Sequence, residues 1–166
     1  MEFCYTLPLQ RRLNRKPSTS QTATAPFFCW DAHALSVQGR KTVLAMNRAS
    51  RYSLLLYGMN GADWTRLPEL IRDEIRALIL REGLSEFEAA RYFALAGPLN
   101  ISGARRPKSA AALNWAMGVL LQYSSLLDDK RLSQPQAAHM INGEAYHTAE
   151  RLGSPREFFL MGFRNL

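Results

Sequence analysis

Residues 27–59 constrain the fold of this chain most, because they contain three runs of β-strand character separated by two short turns. In the first run, apolar and polar positions alternate over residues 28–35 with the period of two that is typical of a half-buried strand. Gln38, Gly39 and Arg40 suit a tight turn, after which residues 42–46 return as a partner strand. Residues 52–57 form a third, almost wholly apolar run. The pattern predicts a three-stranded antiparallel meander in which residues 52–57 are the central or doubly covered strand.

The periodicity changes from 2 to 3.6 after residue 61, which indicates helices. Apolar residues line one face of residues 67–79 and predict a helix with a proline in its first turn and a glycine at its end. Ser85 and Glu88 form a capping box that opens a second helix. Residues 99–102 fit a fourth strand, and Ser109 is predicted to cap a third helix that runs to about residue 127.

Length and composition favour one domain. The chain has 166 residues, of which 47% are hydrophobic, so residues 1–166 can bury a common core without disulfides or metals. Residues 10–26 are rich in Ser, Thr, Pro and basic side chains, which predicts a mobile loop that can contain one helical turn around residues 11–14. Residues 128–166 are expected to form an irregular C-terminal extension that docks on the core. The predicted fold class is α+β: a small antiparallel sheet, made of the meander plus one or two further strands, packed against about three helices.

Several residues in and after the meander carry a family likeness. They are Trp30, Ala32 and Leu35, then Gly39-Arg40-Lys41, Thr42-Val43, Asn47, Arg51-Tyr52, Leu56-Tyr57-Gly58, and later Arg106, Lys108, Ser109 and Asn114. In this order, roughly residues 1–125 resemble a family of small bacterial proteins known only as a domain of unknown function. The resemblance implies a shared fold and no particular activity. Members have Asn at the position of His33 and His or Tyr at that of Asp31, which argues against a shared catalytic role for these two residues.

Missing motifs exclude several classes of protein. The sequence has no secretory leader pattern and no apolar run near the roughly 20 residues that cross a bilayer, which predicts a cytoplasmic protein without a membrane partner. It has neither a G-x-G-x-x-G nor a G-x-x-x-x-G-K-[ST] phosphate loop, nor a G-x-S-x-G nucleophile turn, so no cofactor is expected. Cys4 and Cys29 are too few for a disulfide framework, and we expect two free thiols in a reducing compartment.

Positive charge is concentrated near the N-terminus. Lys and Arg number 21 against 14 Asp and Glu, and residues 1–51 hold eight basic and two acidic residues. Cations in loops and turns can meet a polyanion, although solubility alone also accounts for such an excess. A further basic cluster precedes the predicted third helix, whose free backbone N–H groups favour anions. The predicted anion- or nucleic-acid-binding residues are Arg40, Lys41, Arg48, Arg51, Arg105, Arg106 and Lys108, with Arg11, Arg12, Arg15 and Lys16 contributing charge nearby.

Two side-chain groups are candidates for chemistry. Asp31 and His33 lie two apart on one predicted strand, so the carboxylate could orient the imidazole as a general base, with Lys41 meeting a phosphate. That arrangement suits metal-independent phosphodiester cleavage. His139, Glu144 and His147 have ligand types appropriate to zinc, but their spacing matches no short metal motif, and no metal site is predicted.

The sequence favours a small bacterial accessory protein that is not an enzyme and binds nucleic acid or another polyanion through basic turns. One alternative is a nuclease or other hydrolase that uses Asp31 and His33. A second alternative is a protein-binding module, for instance a homodimer, whose apolar contact surface would lie around residues 158–163.

Overall fold

The structure is a computed structural model that describes residues 1–14, 24–103, 107–147 and 152–166. Within these ranges it contains seven α-helices and seven strands. In chain order they are β1 (Glu2–Tyr5), α1 (Leu7–Leu13), β2 (Cys29–Val37), β3 (Arg40–Asn47), β4 (Ser53–Tyr57), α2 (Gly61–Thr65), α3 (Leu67–Arg81), α4 (Glu86–Ala96), β5 (Asn100–Gly103), α5 (Pro107–Gln122), α6 (Pro135–Gly143), β6 (Tyr146–His147), β7 (Leu152–Gly153) and α7 (Pro155–Arg164). Pro26–Phe28 and Ser124–Leu126 are single 3-10 turns.

Five strands form one mixed sheet in the order β4-β3-β2-β1-β5. The antiparallel pairing of β2 with β3 and of β3 with β4 confirms the predicted meander. However, β1 pairs parallel with both β2 and β5, so the sheet is not the antiparallel one expected from the sequence. Parallel neighbours need a long crossover connection, and the segments of chain between β1 and β2 and between β1 and β5 provide that length. The α+β class is correct, whereas the estimate of about three helices was too low.

The strand β4 lies at an edge of the sheet, so it is not the central strand that was one of the two positions predicted for residues 52–57. All five of its residues are nevertheless buried, because α3 covers one face and α6 the other. A non-helical segment protects its open edge: the amide of Tyr57 donates to the carbonyl of Leu132 at 2.8 Å, and the amide of Gln134 donates to the carbonyl of Leu55 at 3.3 Å. The apolar run of residues 52–57 is therefore explained by the burial of both faces of β4, which confirms the prediction of a doubly covered strand.

Each face of the sheet packs against its own set of helices. One face, which includes Trp30 and Ala45, forms the larger core with α1, α3, α4 and α7. The other face, which includes Leu44 and Leu55, packs against α5 and α6. Since side chains alternate between faces along a strand, this division determines which polar residues of β1 and β2 lie together.

The predicted helix boundaries agree best where a cap is encoded in the sequence. The helix expected over 67–79 is α3, and the capping box of Ser85 and Glu88 at the start of α4 is confirmed. The third helix begins at Pro107, two residues before the predicted cap, and ends at Gln122.

Two regions contain more regular structure than the sequence suggested. Residues 10–13 of the segment expected to be a loop belong to α1, a longer helix than the single turn predicted there, and this helix buries Leu9 in the core. Residues 15–23 of the segment lie outside the described part of the chain. Within residues 128–166 the chain forms α6 and α7, and Phe159 of α7 is fully buried in the core. A capping box of Ser154 and Glu157 opens α7, the same signal that identified α4.

In the described part of the chain, none of the helices has both the length and the apolar character that a bilayer crossing requires.

Candidate functional site

The basic turns of the meander lie at opposite ends of the sheet. Arg40 and Lys41 begin β3, whereas Arg48 and Arg51 follow its last residue. A strand of eight residues at about 3.3 Å per residue is about 25 Å long. These four cations therefore belong to two separate regions of the protein.

The side chain of Arg48 is directed into the protein. Its Nη2 lies 2.8 Å from Oδ1 of Asp31, and the two side chains are 12% and 1% exposed. The same nitrogen contacts Sγ of Cys4. Burial alone would lower the pKa of Arg48, but the hydrogen bond and the charge of Asp31 raise it above its usual value. Arg48 is thus a permanently charged internal residue whose partner is Asp31.

Arg48, which is half-buried, and Asp31 belong to a group of residues here called the polar cluster, whose other members are buried: Glu2, Cys4, Cys29, Asp31, Arg48 and Ser102. The parallel registers place Glu2 beside Cys29, and Cys4 between Asp31 and Ser102, so their side chains share one face of the sheet. The hydroxyl of Ser102 donates to Oε1 of Glu2 at 2.5 Å and lies 3.3 Å from Sγ of Cys4. Sequence reasoning missed this cluster because its members come from strands whose pairing has no local signal.

The two cysteines of the cluster are free thiols, as the sequence predicted, and both are buried. Burial raises the pKa of Cys4 to about 12 and that of Cys29 to about 11. Both thiols are therefore protonated at neutral pH, and a protonated thiol is neither a good nucleophile nor a good metal ligand. The arrangement accommodates one buried ion pair rather than presenting a reactive group.

His33 lies on the same face of β2 as Asp31 but has a different neighbour. Its Nδ1 shares a hydrogen bond of 3.1 Å with the hydroxyl of Thr6, the residue that precedes α1. The ring is half-buried, and burial lowers the pKa of His33 below its ordinary value. The imidazole is therefore neutral at pH 7, and the described hydrogen bonds do not join it to the Asp31 carboxylate.

This environment of His33 predicts a pH dependence of stability. Because its pKa is lowered in the folded state, the unfolded chain binds more protons as the pH falls through the range below 6.5, and the contribution of His33 is lost there. We expect the free energy of unfolding to fall less between pH 7 and pH 5 in His33→Asn than in the original chain. Urea denaturation at both pH values measures this difference. The exposed His139→Asn is the matched control; an equal effect of the two substitutions would contradict the prediction.

The connection between β3 and β4 is held by one buried amide. Oδ1 of Asn47 accepts hydrogen bonds from the amides of Ala49 and Ser50 at 3.1 and 3.0 Å. Its Nδ2 donates to the carbonyl of Phe27 at 2.9 Å. Arg51 follows in the left-handed conformation, with φ of 67°, and is half-buried. This connection is a fixed internal turn, and neither of its arginines extends freely into solvent.

Exposed cations occur instead at the opposite end of the sheet, on a region here called the α1–hairpin surface: Arg11, Arg12, Lys41, Trp64 and Arg66. The guanidinium of Arg12 lies 5.0 Å from the centre of the Trp64 ring, which joins α1 to α2. The carbonyl of Lys41 accepts from the amide of Met59 at 2.9 Å, just before the loop that leads into α2. Arg66 stands between α2 and α3. Three separate segments therefore bring positive charge to the same end of the protein.

The four cations of this surface are free of carboxylate partners among the described residues. The ion pairs of the described residues involve other arginines: Arg40, Arg48, Arg76, Arg81, Arg131 and Arg156. Arg40, although next to Lys41, pairs with Asp129 at 2.9 Å and packs against the ring of Tyr57. Of the two residues in this turn, Lys41 is the one whose charge is not locally neutralised.

The second basic cluster is only partly described. Arg105 and Arg106 lie outside the described residues, and Lys108 is in the first turn of α5. The preceding strand β5 ends at Gly103, which is in register with Tyr5 of β1. The chain therefore leaves β5 next to the point where α1 begins.

No three His, Cys, Asp or Glu side chains are grouped to hold a metal ion in the described ranges. In the region of His139 and His147, Oε1 of Glu144 accepts a hydrogen bond from the hydroxyl of Tyr123 at 2.5 Å.

The described residues form a small α+β domain that has a mixed five-stranded sheet, an internal ion pair between Arg48 and Asp31, and a group of exposed cations at one end of the sheet. The model of the family described as "Domain of unknown function (DUF6933)" matches residues 2–158. The chain belongs to this family, in agreement with the resemblance of the meander residues. A search of curated proteins gives no match.

Proposed function

We propose that this protein binds a polyanion, with single-stranded nucleic acid as the best fit, and that the α1–hairpin surface makes the contact. The observation that carries the proposal is that four exposed cations without described carboxylate partners lie at one end of the sheet, where one of them, Arg12, packs on the half-buried Trp64. Cations that track a phosphate backbone and an aromatic or guanidinium plane on which bases stack are the two parts of a single-strand binding surface. The packing of Arg12 on Trp64 puts both parts in one place.

The structure changes which of the sequence candidates support this proposal. Lys41 is retained as a candidate. Arg12 becomes a stronger candidate because it packs on Trp64, and Arg11 because it is exposed next to Arg12 on α1. Arg48 is removed from the proposed contact because its charge is committed to a buried carboxylate. Arg40 contributes little, since Asp129 neutralises it.

The hydrolase alternative finds less support in the described contacts. A general base is efficient when a second group orients it and the substrate can reach it. Asp31 is fully buried and bonded to Arg48, and His33 bonds to Thr6. A substrate would have to displace the internal ion pair before Asp31 could act.

Fluorescence anisotropy of a labelled single-stranded oligonucleotide tests the proposal. If about four phosphates are neutralised, the logarithm of the binding constant should fall with a slope of about −2.8 against the logarithm of salt concentration. This slope corresponds to roughly 50-fold weaker binding at 200 mM than at 50 mM salt. Absence of binding to both RNA and DNA at the lower salt concentration would overturn the proposal.

A pair of double substitutions with equal charge locates the contact. Arg12→Ala/Lys41→Ala removes two cations of the α1–hairpin surface and should reduce the salt slope by about 1.4 while weakening binding at low salt. Arg76→Ala/Arg164→Ala lowers the net charge equally but changes exposed residues elsewhere, and it should leave the slope within error. Equal effects of both variants would show attraction by net charge alone.

A further inference from the structure

The two edges of the main sheet differ in how they are covered. Along the open side of β4, the amide of Tyr57 donates to the carbonyl of Leu132, and the carbonyl of Leu55 accepts from the amide of Gln134. The other edge strand is β5, which pairs with β1 on its inner side. The hydrogen bonds of the described residues place no further segment along its outer side.

One hydrogen bond fixes the direction of the main-chain groups of β5. The amide of Asn100 donates to the carbonyl of Met1 at 2.9 Å, so Asn100 faces β1. In a strand, the N–H and C=O groups of one residue point to one side, and those of the next residue point to the other. Ser102 therefore also faces β1, whereas the N–H and C=O groups of Ile101 and Gly103 point out of the sheet.

These outward groups are available for bonding. No hydrogen bond between described residues uses the main-chain N–H or C=O of Ile101 or Gly103, and both residues are only half-buried. The two residues repeat the same donor and acceptor at a spacing of roughly 7 Å, which is the repeat of an extended chain. The strand β5 also contains no proline and no charged residue, the residue types that commonly protect an open edge.

The two faces of β5 predict the side chains of a partner strand. Ile101 packs against the edge of the larger core, and Ser102 points to the opposite face, into the polar cluster. Side chains of directly opposed residues on neighbouring strands lie on the same face. A partner residue opposite Ile101 therefore extends the apolar core, and one opposite Ser102 lies on the polar side.

We propose that the open edge of β5 binds an extended peptide segment of another protein, which adds to the sheet as a sixth, antiparallel strand. Four hydrogen bonds can form, through the two N–H and two C=O groups of Ile101 and Gly103. The segment alternates apolar and polar residues, with a β-branched apolar residue beside Ile101. Main-chain bonding supplies the affinity, and the alternate side chains supply the selectivity.

This edge differs from the other surfaces considered for binding. In the segment around residues 158–163, which the sequence suggested for a protein partner, Phe159 and Phe163 are buried in the core. The bonding groups of β5 are uncharged, so binding there should be insensitive to salt, unlike binding to the α1–hairpin surface.

A neutral peptide tests the edge. Acetylated and amidated Thr-Val-Thr-Val-Thr has the alternation that fits β5. Titrated up to about 1 mM, it should shift the amide signals of Ile101 and Gly103 in a ¹H–¹⁵N spectrum in a saturable way, equally at low and high salt. Absence of saturable shifts would overturn the proposal.

Methylated forms of the same peptide test main-chain recognition. Methyl groups on alternate nitrogens leave one bonding edge of the peptide intact and should preserve binding. Methylation of every nitrogen removes both edges and should weaken binding at least about tenfold. Equal binding of the fully methylated and unmethylated peptides would show that the main chain is not what β5 recognises, and the proposal would be wrong.

Two substitutions at one position isolate the outward N–H group. Ile101→Pro removes that donor and puts the proline ring in its place, without removing a bond to β1. Ile101→Val keeps the donor and has a side chain of similar size. We expect peptide binding to be lost in Ile101→Pro and retained in Ile101→Val, with the circular dichroism of both unchanged. Equal binding by the two variants would contradict the proposal, and the methylated peptides give the same test on the unsubstituted chain.

A second copy of the chain is the competing occupant of this edge, because two β5 strands can pair about a two-fold axis. The net charge of +7 opposes such self-association. In sedimentation velocity without peptide, we expect the mass of one chain, 18.8 kDa, at all concentrations. A dimer that Ile101→Pro abolishes would assign the edge to self-association and overturn the peptide assignment.

Discussion

Replacing Arg48 with alanine is expected to lower the free energy of unfolding by about 3–5 kcal/mol, because the substitution leaves the buried Asp31 carboxylate without its cation. Urea denaturation followed by circular dichroism measures the loss.

Two further variants define the cause of that loss. Arg76→Ala breaks the Arg76–Glu86 pair, whose side chains are 55% and 62% exposed, and should cost less than about 1 kcal/mol. The double variant Asp31→Leu/Arg48→Met removes both charges of this ion pair and should be more stable than Arg48→Ala. If Arg48→Ala cost no more than Arg76→Ala, the internal position of Arg48 would be contradicted.

Substitution of Gly162 by alanine is expected to destabilise the protein by about 1–3 kcal/mol, although alanine is the better helix former. A Cβ atom at Gly162 would overlap the ring of Phe27. That ring cannot move freely, since its centre lies 5.4–5.9 Å from the rings of Phe28, Tyr92, Phe159 and Phe163.

A second glycine provides the opposite expectation. A Cβ atom at Gly118 of α5 would meet open space, so Gly118→Ala should stabilise the protein by about 0.5–1 kcal/mol. Thermal unfolding of the two variants gives the comparison. Combining Gly162→Ala with Phe27→Leu should recover part of the loss, and stabilisation by Gly162→Ala alone would contradict the close packing of α7 on Phe27.

The sequence predicts those strands and helices whose signals lie within a few neighbouring residues. A period of two and the Gly39 turn identified β2 and β3, and the cap at Ser85 with a period of 3.6 identified α4. These signals depend on neighbours within a few residues. The parallel pairing of β1 joins Cys4 to Asp31 and to Ser102 across long connections, and no local pattern encodes that choice.

The sequence predicts that the candidate site is basic, but it does not predict which of the basic residues form it. Lys41 and Arg48 look alike in the sequence, since both are cations beside a turn of the meander. Consecutive turns of a meander lie at opposite ends of the sheet, so their separation follows from the predicted topology. The burial of Arg48 does not follow, because it requires Cys4 and Asp31 on one face. The pairing of Arg12 with Trp64 likewise joins segments whose contact only the folded chain defines.

The most direct test of the proposed function follows the three tryptophan indole N–H signals in a ¹H–¹⁵N spectrum during titration with a single-stranded oligonucleotide. Trp30 is fully buried, with Nε1 donating to the hydroxyl of Tyr92 at 3.0 Å, and Trp115 packs against Tyr146. Trp64 alone of the three lies on the α1–hairpin surface. We expect the Trp64 signal to shift in a saturable, salt-sensitive way while the other two stay in place. Binding that leaves Trp64 unchanged, or shifts Trp115 in its place, would contradict the account.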